Sequence, residues 1–195
     1  VETAMKEVLP DGLEGAMAVL PSDRKDQLTK YLRQLKRAEM APRCQQQLSF
    51  ILALLGTDYR QNRDNLFRAL RTCGSARMSC DEDTVQYAIT LYKRGHREAL
   101  GTLLNAGTES DGAASALLGD FYRDTLLQNP QLFIRAVGML TSMGRRQACF
   151  LAGTGDGSGT APADLKHATE ALTAIGGEVA LACGAAFHEG AARVK

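Results

Sequence analysis

The chain has 195 residues and 21.0 kDa, with 45% apolar and 23% charged residues, a balance that excludes disordered, collagenous and fibrous classes. Twenty-six Leu and 28 Ala against only 7 Val and 4 Ile favour helix, because Ala and Leu lose little on entering a helix while β-branched side chains prefer a pleated sheet. A formal net charge of +1 excludes a strongly basic nucleic-acid protein taken as a whole. The longest uncharged apolar stretch, the 14 residues from Cys44 to Thr57, falls short of the roughly 20 residues a membrane-spanning helix needs.

The charge is unevenly placed. Residues 1–21 are net −3, residues 22–71 carry eleven Lys/Arg against five acids, residues 72–144 are net −2, and residues 145–195 balance at five each. The chain begins at Val1 rather than Met, which leads us to expect that a secretory signal, a tag or a longer chain preceded it. Five cysteines, Cys44, Cys73, Cys80, Cys149 and Cys183, match no usual zinc spacing. Cys73 and Cys80 bracket a short inter-helix stretch that a disulfide would close, and together with the missing Met this points to an exported protein.

In chain order, residues 1–21 are broken by Pro10, Gly12, Gly15 and Pro21 and read as a lead-in; residues 22–195 read as a single all-α domain. Ser22 or Asp23 is placed to cap a helix running to about Met40, with Leu28, Tyr31, Leu32 and Leu35 at helical spacing. Helices follow over about Arg43–Leu55 and Gln61–Thr72, each with an apolar stripe. Ser79 with Glu82 forms a capping box opening a helix to about Arg94. Others are expected over His96–Ala106 and Asp111–Leu127, and one restarts at Asn129-Pro130, Asn as N-cap and Pro at the first helical position. A short helix from about Arg145 to Ala152 precedes the Gly-rich loop 153–160, and a last pair begins at Pro162 and is divided by Gly176-Gly177.

Helices of this length joined by such short turns lie antiparallel to their chain neighbours. About nine antiparallel helices are therefore expected, as stacked helical hairpins. The glycine stops Gly74, Gly107, Gly144 and Gly176 recur at intervals of 33, 37 and 32 residues, the length of one two-helix unit. On these stops residues 22–189 resemble HEAT and armadillo-like helical repeats, which implies a right-handed α-solenoid; the alternative is a compact irregular helical bundle.

Sequence motifs for catalysis are sparse. The chain has no His-Glu-x-x-His, no Gly-x-Ser-x-Gly, no phosphate-binding Walker loop, and three scattered histidines, His96, His167 and His188. Cys183 and His188 are about 140° apart on an ideal helix, poor for sharing one metal ion, so no metal or other cofactor is expected. The Gly-rich loop offers backbone N–H groups but no Lys for a phosphate, and one carboxylate, Asp156, where calcium needs several oxygens. The acids Asp81-Glu82-Asp83 suit a helix N-terminus, and Asp120 with Asp124 suits a solvated face.

The feature with functional content is the basic segment. Lys30, Arg33, Lys36 and Arg37 fall opposite the leucine stripe of the first helix, and Arg60, Arg63, Arg68 and Arg71 decorate a later one. Stacked together they would form a positive ridge, although Asp23, Asp26, Glu39, Asp58 and Asp64 interleave. The expectation is a non-enzymatic helical-repeat protein that binds another protein or acts as a structural scaffold. Two alternatives stand beside it: nucleic-acid binding through the basic surface of residues 24–71, and an enzyme whose site is assembled from distant residues, with His96, His167 or His188 as acid/base candidates.

Overall fold

The structure, a computed structural model, describes residues 21–35, 37–71, 82–107 and 112–193. Every regular element among them is helical: α1 (Ser22–Gln34), a 3-10 turn (Arg37–Glu39), α2 (Pro42–Leu54), α3 (Tyr59–Arg71), α4 (Glu82–Lys93), α5 (Ala99–Ala106), α6 (Gly112–Gln128), α7 (Pro130–Gly138), α8 (Ser142–Thr154), α9 (Pro162–Ile175) and α10 (Gly177–Arg193). The all-α expectation holds. The chain divides into two compact units between Ala69 and Leu70.

Helix ends depart from the sequence pattern where local backbone bonding overrides it. The first helix stops at Gln34 rather than near Met40, because Leu35 turns extended (ψ 131°) and its N–H bonds back to the Leu32 carbonyl. Neither Ser22 nor Asp23 caps it; the Pro21 carbonyl accepts from the N–H groups of Arg24 and Lys25, both at 3.0 Å. His96 lies before α5 rather than within it, since Gly95 at φ 99° reverses the chain and the Arg97 N–H folds back onto the Gly95 carbonyl. Asn129 caps α7 as its type suggests, its side-chain oxygen accepting from the Leu132 N–H at 3.1 Å. The α8 helix is longer than expected at both ends, capped by the Thr141 hydroxyl, which accepts from the Gly144 N–H, and continuing through Gly153.

In the first unit Leu32, Leu48, Ile51 and Leu52 make a buried aliphatic cluster flanked by the half-buried Leu28, Leu35, Met40, Leu54 and Leu55. The turn into α3 carries Asp58 at φ 45°, and the buried Asn62 holds it by donating to the carbonyls of Thr57 (2.8 Å) and Asp58 (3.3 Å). A positive φ on a non-glycine residue is disfavoured. These hydrogen bonds hold the Asp58 turn in place.

In the second unit α6 buries Ala114, Leu118, Phe121, Tyr122 and Leu126, spaced to put them on one broad face. Phe121 meets Tyr92 of α4 edge-on at 5.1 Å, and the fully buried Tyr122 donates its hydroxyl hydrogen to the Leu103 carbonyl of α5. That pairing is what allows a phenol into the core.

Glycine lets the long helices of this unit approach backbone to backbone. A Cβ on Gly119 of α6 would collide with the carbonyl oxygens of Leu151 and Gly155; one on Gly153 of α8 would strike the Phe187 carbonyl of α10; one on Gly190 would strike the Phe150 carbonyl of α8. The Cys149–Cys183 disulfide, with a Cα–Cα separation of 5.2 Å, ties α8 to α10 across 34 residues of chain. Contacts between α6 and the residues after α8 fall 36 residues apart, as at Asp120 with Asp156 and Arg123 with Gly159. Along α8 and α10 the partners advance together, Cys149 with Cys183 and then Gly153 with Phe187, so these two helices run in one direction and α9 carries the chain back between them.

Candidate functional site

The eight basic residues singled out in the sequence do not share one environment. Lys30, Arg60, Arg68 and Arg71 are exposed. Arg33 is engaged with Asp58 at 3.1 Å, and Arg63 pairs with Asp64 at 2.8 Å while its guanidinium lies over the rings of Tyr59 and Phe67. Interleaved acids and aromatic faces thus take up the charge of these two cations locally. Lys36 and the side chain of Arg37 lie outside the described residues, as do Cys73, Cys80 and Ser79.

The Gly-rich segment is fastened rather than open. Past Thr154, Gly155 sits against the Arg123 guanidinium, which pairs with Asp120 and donates to the Gly159 carbonyl at 3.2 Å. The Asp156 N–H donates to the Asp120 carboxylate at 3.0 Å, and the Asp156 carboxylate accepts from the N–H and hydroxyl of Ser158. The Asp156 and Ser158 amides that an incoming anion would use are therefore already spent on the chain's own carboxylates. Burial pushes the Asp120 carboxyl above its ordinary 3.8, which Arg123 partly offsets and Asp156 reinforces. The Ser158 hydrogen bonds hold Asp156 below that value. Asp120 and Asp156 thus fasten the loop to α6, while Asp124 is exposed.

The histidines do not converge. The Thr169 hydroxyl and His188 Nε2 are 3.0 Å apart, linking α9 to α10; His167 is exposed; His96 lies 4.0 Å from Glu98. Cys183, weighed as a zinc ligand with His188, is instead bonded to Cys149 and buried. Among the described residues no group of three or more His, Cys, Asp or Glu side chains is arranged to hold a metal ion. The sequence pattern missed this disulfide because nothing local relates Cys149 to Cys183; both lie on buried helix faces and meet only through the crossing of α8 and α10.

Beside that crossing lies a cleft of about 410 Å³ between α8 and α10. The disulfide, Val179, Ala182 and Ala186 make it apolar. Charge sits at its edges: Arg146 pairs with Glu189 at 2.8 Å, and Arg145 donates to the carbonyls of Leu140 (3.0 Å) and Gly138 (2.8 Å) at the end of α7. Glu178, in the first turn of α10, completes the rim and is exposed. Three of the four large exposed apolar side chains among the described residues stand on the flanking elements: Met139 and Met143 at the corner between α7 and α8, and Leu181 next to Ala182.

The class that fold and site define is an all-α protein, and no described helix is long and apolar enough to cross a membrane. Comparison of the chain with protein-family models, with curated proteins and with solved structures finds no match.

Proposed function

We propose that the chain is a non-enzymatic helical-repeat protein that binds another protein or serves as a structural scaffold. The observation carrying this reading is that residues 34 apart meet between α8 and α10, and residues 36 apart meet between α6 and the loop after α8, near the length of one two-helix unit. A unit repeated at that interval buries its apolar face only against its neighbours and leaves an extended surface free for recognition. The Cys149–Cys183 disulfide favours an oxidising, extracytoplasmic setting for the working protein. Of the eight basic residues singled out in the sequence, Arg33 and Arg63 are paired locally with Asp58 and Asp64, which makes nucleic acid the weaker partner class.

Purified full-length chain used as bait in nuclease-treated native extract tests this reading. A defined protein recovered in stoichiometric amount, and retained at several hundred millimolar salt, supports it. Recovery of no protein, together with steeply salt-dependent binding to added oligonucleotides, would replace it with the nucleic-acid alternative.

A further inference from the structure

The cleft between α8 and α10 is built unlike a small-molecule site. Such sites bring several polar groups together to orient a ligand. Here the two arginines are occupied, Arg146 by Glu189 and Arg145 by the carbonyl end of α7, and the floor of Val179, Ala182, Ala186 and the disulfide is apolar. The walls are two helices running the same way, closed together by Gly153 and Gly190 and by the disulfide. They leave a groove in which a third helix can seat its ridge. On the rim, Glu178 presents an exposed carboxylate that makes no ion pair among the described residues, Arg145 and Arg146 of the same cleft being engaged elsewhere.

We propose that this cleft is the docking groove for an amphipathic helix of a partner protein: aliphatic side chains one turn apart enter between α8 and α10, and a lysine or arginine beside them pairs with Glu178. The proposal rests on the protein-binding reading above and names the surface and the partner chemistry. A volume of about 410 Å³ suits two or three aliphatic side chains rather than a whole helix, so the partner anchors by a short stripe. The disulfide gives the groove a fixed floor, so little ordering is required of this side on binding.

The test is selection of random sixteen-residue peptides displayed against the full-length protein, followed by affinity measurement with synthetic copies of the enriched peptides. Enriched peptides are expected to carry aliphatic residues at i and i+3 or i+4 with a nearby Lys or Arg. Their affinity should fall by about tenfold or more in Ala182→Trp, which fills the groove from an exposed position. Glu178→Lys should weaken binding as well, and a peptide with its basic residue changed to Glu should recover it. Ala185→Trp, also exposed, serves as a second plug if circular dichroism shows Ala182→Trp to be misfolded. Peptides that bind both plugged variants unchanged would overturn the groove while leaving the protein-binding reading standing, which the bait experiment judges separately. Absence of enrichment, enrichment of acidic sequences, or concentration-dependent dimerisation abolished by Ala182→Trp would each overturn the proposal, the last by making a second copy of the chain the occupant.

Discussion

Up to Ala69 the chain relies on an aliphatic cluster around Leu32, Leu48, Ile51 and Leu52, supplemented by exposed ion pairs such as Arg33 with Asp58. From Leu70 onward it relies on helix backbones in direct contact through Gly119, Gly153 and Gly190, on the Cys149–Cys183 bond, and on aromatic rings packed around Tyr122. Leucine clusters tolerate rearrangement, since one aliphatic side chain substitutes for another at modest cost. Backbone contact at glycine does not, because any side chain must push the helices apart. The second unit should therefore be the more rigid and the more easily broken by single substitutions. It is also the unit that holds the cleft.

The largest effect should come from the disulfide. Replacing Cys149 and Cys183 together by Ala removes a cross-link closing 34 residues, worth about 3–4 kcal/mol on the chain-entropy account. Hydrogen-exchange mass spectrometry should show that loss in α8 and α10 while α1 and α2 keep their protection; equal loss in both units would erase the contrast between them. Next is Gly153→Ala, whose Cβ would meet the Phe187 carbonyl and should cost about 2 kcal/mol. Gly138→Ala, with open space around it, should stay within about 0.5 kcal/mol; parity of the two in urea titrations would show that close approach is not what holds α8 to α10.

Tyr122→Phe removes the donor to the Leu103 carbonyl and should cost about 1 kcal/mol. In the first unit Arg33→Gln breaks an ion pair whose side chains are both 55% exposed, so its cost should be under about 1 kcal/mol and should shrink further in salt. The smallest effect is a slope in pH. Burial raises Asp120 above 3.8, so the native state holds more protons than the unfolded state between 3.8 and its folded value, and stability falls as pH rises through that window. Asp156, held below 3.8, has the opposite sign: its contribution is present above 3.8 and is lost as pH falls through its lower folded value. Thermal midpoints of Asp120→Asn against pH should lack the decline above 3.8 and keep the acid loss.

Much of the local structure was readable in the residues. The Leu and Ala excess dictated helix, Asn129-Pro130 announced the start of α7, and Gly107 and Gly176 marked the ends of α5 and α9, whereas Gly144, read as a stop, lies in the first turn of α8 and Gly74 lies outside the described residues. Individual helix limits were less readable: Leu35 turns out of the first helix with its N–H on the Leu32 carbonyl, and Gly153, read as the start of the loop, lies in α8 with the backbone of α10 packed against it. The basic segment was visible as composition, yet its division into exposed cations and the engaged Arg33 and Arg63 depends on where Asp58, Tyr59 and Phe67 stand in space.

The sequence alone therefore determined the helical class and the Asn129 cap of α7, since these follow from propensities and hydrogen bonding within a few residues. The Cys149–Cys183 bond, the fastening of residues 155–160 by Asp120 and Arg123, and the apolar cleft beside Glu178 were decided only by tertiary structure. Each joins groups that lie 29 or more residues apart and share no local pattern; they meet because glycine permits α6, α8 and α10 to approach closely, and an approach between helices has no signature in either helix read alone.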